Sequence, residues 1–124
     1  MSSMIFLSAT TQDCSILKNN TFTYRNGSDK VLVVFSGEQH TEYHQNKKYT
    51  IKSTVRWISK CEYILTINES NLPNFPFKMG TKLFIKVNKV RGKKVYYTSS
   101  LAGRSWEGKL VKIDNFTIKE KLSQ

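Results

Sequence analysis

Long apolar runs are missing from this 124-residue chain. Nothing in it approaches the ~18 consecutive apolar residues that a membrane-spanning helix requires. Acidic residues are scarce, nine against 20 lysines and arginines, which leaves a formal net charge of +11. Proline occurs only at Pro73 and Pro76 and histidine only at His40 and His44. Two cysteines, Cys14 and Cys61, stand too far apart for a CxxC redox or zinc motif. The six glycines form no phosphate-binding loop, and neither Gly37-Glu-Gln-His nor Gly103-Arg-Ser-Trp has the spacing of a nucleophile elbow. No segment has the length and period of an amphipathic helix.

What is present is strand after strand. Residues 21–25 (TFTYR) alternate, with Phe22 and Tyr24 on one face, and residues 31–35 (VLVVF) form a β-branched run. Residues 50–58 place Ile51, Ser53, Val55 and Trp57 on one face, and residues 61–67 return with Cys61, Tyr63, Leu65 and Ile67 together. In residues 81–90, Leu83, Ile85 and Val87 read as inward and Lys82, Phe84 and Lys86 as outward. Period-two alternation of this kind marks half-buried strands. Further strands are expected over residues 39–44, 95–100 and 106–113, with a tail from Asn115. Both prolines fall in residues 68–80, an apolar loop that either packs over one end of the core or forms a binding lip. About eight strands joined by short turns predict an all-β, antiparallel up-and-down meander. Such a meander closes into a small lipocalin-like barrel or remains a strongly curved sheet, since closure removes both edges. An eight-stranded barrel either fills with its own side chains or holds one small ligand.

The domain is expected over residues 13–124. Residues 1–12 are set apart: Met4 to Ala9 is apolar, but shorter than a full secretory signal and without a preceding basic residue. It reads either as the tail of a signal whose start lies upstream or as a frayed end or first strand. Asp13 directly before Cys14 argues against a lipoprotein signal. The cysteine pair is compatible with two buried thiols or with one disulfide.

Both histidines lie in SGEQHTEYH, where Glu38, His40, Glu42 and His44 alternate. On a strand His40 and Glu42 would be ~7 Å apart on one face, but His40 and His44 ~13 Å apart, too far to share one metal ion. HTEYH also lacks the glutamate position of HExxH. The row is therefore expected to face solvent, pairing with lysines such as Lys52 across the hairpin. No metal and no cofactor are expected. Acid pairs for glycoside hydrolysis would have to come from Glu38, Glu42, Glu62, Glu69 and Glu107, and the sequence alone does not place any two of them at the required separation.

The charge attracts anionic partners such as nucleic acid, phosphorylated glycans or lipid headgroups. It concentrates in residues 78–94, where Lys78, Lys82, Lys86, Lys89, Arg91, Lys93 and Lys94 occur without an acid and with Phe84 between two lysines. Basic sheet faces with interleaved aromatics hold single strands by phosphate attraction and base stacking. Against this, lysine outnumbers arginine four to one, and bidentate phosphate recognition favours arginine. Lysines also keep exposed strands soluble.

The stretches CSILKNNTFTY (from Cys14), GEQHTE (from Gly37) and VRWISKCEYIL (from Val55) resemble a family of small, uncharacterised exported bacterial β-proteins. Members often carry the automatic label "DNA topoisomerase IV" with no topoisomerase motif to support it. Trp57, Cys61, Tyr63 and Leu65 match its Trp-x3-Cys-x-Tyr-x-Leu pattern, and Cys14, Lys18, Phe22 and Glu42 match more loosely. Phe35 stands where members often have arginine, and a glycine usual near Asn20 is missing. The resemblance covers about residues 13–113. It implies export, a mature start near Gln12 and a Cys14–Cys61 disulfide, and it implies no activity.

The sequence thus predicts a non-catalytic exported binding or scaffolding module for an anionic envelope component or a small apolar ligand. The anion-binding surface expected is Lys82, Phe84, Lys86, Lys89, Arg91, Lys93 and Lys94. The alternatives are a cytosolic nucleic-acid-binding barrel using that same face and, third, a metal-assisted hydrolase.

Overall fold

The computed structural model describes residues 13–114, so the expectations for residues 1–12 and for the tail from Asn115 lie outside it. Eight antiparallel strands follow one another in chain order and close into a barrel. They are β1 (Thr21–Asn26), β2 (Asp29–Ser36), β3 (Gln39–His44), β4 (Tyr49–Ser59), β5 (Glu62–Ser70), β6 (Lys82–Arg91), β7 (Lys94–Leu101) and β8 (Arg104–Ile113). Among the described residues closure is by three rungs: Thr21, Phe22 and Thr23 of β1 pair with Ile113, Lys112 and Val111 of β8. Beyond Thr23 the two strands part, leaving a cleft between Tyr24 and Arg25 on one side and Glu107, Gly108 and Lys109 on the other.

The alternation expected of each strand sets the core. Ile51, Ser53 and Val55 of β4, Tyr63, Leu65 and Ile67 of β5, and Leu83, Ile85 and Val87 of β6 all point inward and are buried. Phe22 and Phe35 meet edge to face with ring centroids 5.7 Å apart, near the centre of this core. Trp57 continues the inward row of β4 but is only half-buried at the barrel end, packed on Tyr63 with the Lys18 ammonium over its ring. The β4–β5 connection is Lys60-Cys61, one residue later than the pattern placed it, because a register shift separates the Trp57 and Ser59 pairs.

A meander puts alternate turns at opposite ends, and the two ends of this barrel differ. At one end a single 3-10 turn, Cys14–Leu17, plugs the opening with buried Leu17. It is fixed there by the Cys14–Cys61 disulfide, whose Cα atoms are 5.4 Å apart. Asn19 adds a second tie, its side-chain oxygen accepting the Gly37 N–H of the β2–β3 turn at 2.8 Å. Gly37 has φ +59°, a conformation that side chains with a Cβ avoid, and this turns the donor toward Asn19. At the other end the long β5–β6 connection, residues 71–81, folds back over the mouth. Leu72, Phe75 and Phe77 of this loop pack against the core. The loop is thus both a cover and a lip.

Candidate functional site

The mouth leads into a cavity of about 250 Å³, lined by Tyr24, Glu42, His44, Ile51, Ser53 and Leu65 with Phe75 and Phe77 of the loop. Deeper in the barrel lies a second chamber of about 110 Å³ against His40, Tyr63, Tyr97 and Ser99. Tyr24, Glu42, Leu65 and Leu83 line both chambers. The walls are apolar except for a cluster of polar groups centred on one carboxylate.

That cluster corrects the reading of the histidine row. His40 and His44 are 5% and 3% exposed, and with Glu42 they face the barrel interior. Lys52 lies on the outer face, paired with Thr41. The reason is register. The two-residue turn at Gly37-Glu38 sets Phe35 opposite His40, and residues directly opposite across an antiparallel pair share a face. Phe35 belongs to the core, so His40, Glu42 and His44 must point inward with it. The signal was in the sequence, in the turn length and not in the strand's own alternation, because Thr41 and Tyr43 are more apolar than His40, Glu42 and His44 and point the alternation to the wrong face.

Glu42 organises the cluster. Its Oε1 accepts the Tyr24 hydroxyl at 2.9 Å and lies 2.9 Å from His44 Nε2. The other ring nitrogen of His44 is 3.9 Å from Asp29 at the rim. Two buried polar atoms in this interior, His40 Nδ1 and Ser53 Oγ, have no partner. Burial by itself would raise the Glu42 carboxyl, but the His44 hydrogen bond, nearby His40 and the Tyr24 hydroxyl together hold it below the usual carboxylate range. Burial lowers the His40 imidazole. The phenols move the other way: burial, with the Glu42 charge adding, pushes Tyr97 up to about 12 and Tyr24 and Tyr63 well above their ordinary value. The chambers therefore hold an ionised Glu42 carboxylate close to the neutral phenols of Tyr24, Tyr63 and Tyr97. Among the described residues no group of three or more His, Cys, Asp or Glu is placed to hold a metal ion.

Gly108 makes room for Tyr97, which lines the inner chamber. The two pair across β7–β8, and a Cβ at Gly108 would clash with the hydroxyl end of the Tyr97 ring.

The direction of these shifts predicts a fold that loses stability in acid. His40 and Glu42 are both depressed in the folded state, so each contributes stability above its unfolded value, 6.5 and 4.5, that is lost as pH falls through the folded one. We expect the urea midpoint to be flat above neutrality and to decline in two stages, below about pH 6.5 and again below about pH 4.5. His40→Leu should remove the upper stage; an unchanged profile in that variant would show that His40 titrates as freely as in the unfolded chain.

The expected anion surface divides between two places. Lys82, Phe84 and Lys86 share the outer face of β6, with Phe84 36% exposed, while Lys89, Arg91, Lys93 and Lys94 surround the β6–β7 turn at the plugged end. Tyr96 is the outward tyrosine and lies under the Lys89 ammonium, whereas Tyr97 points inward. Acids border the face: Glu62 pairs directly with Lys86, and Glu107 pairs with Thr98 on the far side. Compared with protein-family models, curated proteins and solved structures, the chain finds no match. No helix among the described residues is long and apolar enough to cross a membrane, and the disulfide is compatible with an oxidising compartment.

Proposed function

We propose that this protein is an exported, non-catalytic binding module that takes a small, largely apolar molecule into the mouth of its barrel. The observation that carries the reading is the cavity, apolar walls around a few convergent polar groups, roofed by an aromatic loop and closed at the far end by a disulfide-fixed plug. Its size suits one ring with a short tail, since an apolar cavity of ~150 Å³ holds a benzene molecule. Export is supported by the disulfide, because such bonds persist in oxidising compartments. The basic outer face is the weaker candidate for anionic polymers or nucleic acid, because Glu62 and Glu107 flank Lys86 and reduce the local potential.

Soluble one-ring compounds such as benzyl alcohol should raise the thermal midpoint by about 10 °C at ~100 times their Kd, where bound ligand stabilises by about 2.7 kcal/mol. Leu83→Phe, which fills space shared by both chambers, should abolish this shift while leaving the far-UV circular dichroism unchanged. A midpoint raised equally in the filled variant would place binding outside the barrel and refute the cavity reading.

A further inference from the structure

We propose that the cavity selects organic cations: small amines whose ammonium sits against Glu42 while an apolar body rests on Leu65, Phe75 and Phe77. This rests on the cavity reading and adds the charge of the ligand.

The first observation is the sign of the lining. The chain carries 20 lysines and arginines, yet among the described residues not one lines either chamber, and Glu42 is the carboxylate common to both. A folded chain with so many cations could easily have placed one here. Inside a low-dielectric wall a single charge acts strongly, so a carboxylate ligand would meet repulsion from Glu42 and an ammonium would meet attraction.

The second observation is which atoms are left over. Both hydrogen bonds to Glu42 fall on Oε1, from Tyr24 and His44, and the side chain keeps 19% exposure, so Oε2 is left for an occupant. Ser53 Oγ lines the outer chamber, is buried and has no partner. Ser53 sits two residues along β4 from Ile51, which pairs with Glu42, so the two side chains are diagonal neighbours on the inner face. An ammonium brings three donors and no acceptor, and two acceptors wait at this spot. Aromatic faces complete the match: Tyr24, Phe75 and Phe77 line the same chamber, and rings attract cations over their faces.

The test uses the oxidised protein and three compounds of similar shape: 2-phenylethylamine, 2-phenylethanol and 3-phenylpropionate. Calorimetric titration at ~150 mM salt should give the amine an affinity at least about tenfold above the alcohol, with the carboxylate weakest of all. The net charge of +11 makes this order informative, because indiscriminate surface attraction would favour the carboxylate. Glu42→Gln should bring the amine down to the affinity that the alcohol has for that same variant. Glu62→Gln on the outer face should change nothing. Should Glu42→Gln fail to fold, the order of the three compounds on the wild-type protein decides alone. Equal binding of amine and alcohol, or tightest binding of the carboxylate, overturns the cation inference and leaves the cavity reading standing. Binding of none of the three overturns both.

Discussion

Replacing Cys14 and Cys61 together by alanine should cost about 4 kcal/mol, read from the urea midpoint and a slope that steepens as the unfolded chain expands. The two residues are 47 apart in sequence, and closing a loop of that length removes this much chain entropy from the unfolded state. The native contribution is local as well. The bond is the covalent tie between the plug and the β4–β5 turn, and Leu17, 1% exposed, depends on that plug for its burial. Reduction of the wild-type protein should give a loss of the same size. A loss below about 1 kcal/mol would mean that Asn19 and the packing of Leu17 hold the plug without the bond.

The second large effect is expected at Phe22. Its side chain is fully buried, it meets Phe35 edge to face, and it stands on one of the three rungs that close the barrel. Phe22→Ala should cost ~3–5 kcal/mol, whereas Phe22→Leu should cost under about 1.5 kcal/mol because most of the volume remains. Hydrogen exchange should show Thr21, Thr23 and Val111 losing protection first in the alanine variant, ahead of the β4–β5 ladder. Uniform loss across all strands would show that the closing rungs are no weaker than the rest.

Much of the barrel could be read from residue order. Inward sets such as Leu83, Ile85 and Val87, or Ile51, Ser53 and Val55, declare themselves by alternation, and turn residues at Gly27, Gly37 and Gly92 mark where the chain reverses. Alternation fails where the more polar face of a strand is the buried one, as on β3, and there only the partner strand decides. The site was missed for that reason: a carboxylate and two imidazoles look like a solvated face until Phe35 is set opposite His40. Closure against a curved sheet was equally beyond pattern reading, because the rungs joining β1 to β8 link the two ends of the fold and leave no local trace. The unpartnered Ser53 hydroxyl was also hidden, since a serine among inward residues reads the same whether or not something waits to bond it.

The three-rung closure also orders the birth of the molecule. Thr21 cannot meet Ile113 until nearly the whole domain has left the ribosome, so the closing contacts span the greatest separation in the fold and form late. Both cysteines lie in the first half of the chain and pair across a far shorter loop. During vectorial synthesis or translocation the plug can therefore be locked to the β4–β5 turn while β8 is still missing. In that interval β1 is an exposed edge, open to a neighbouring chain, and Arg25 and Lys30 on the first hairpin put charge beside it, which discourages such pairing.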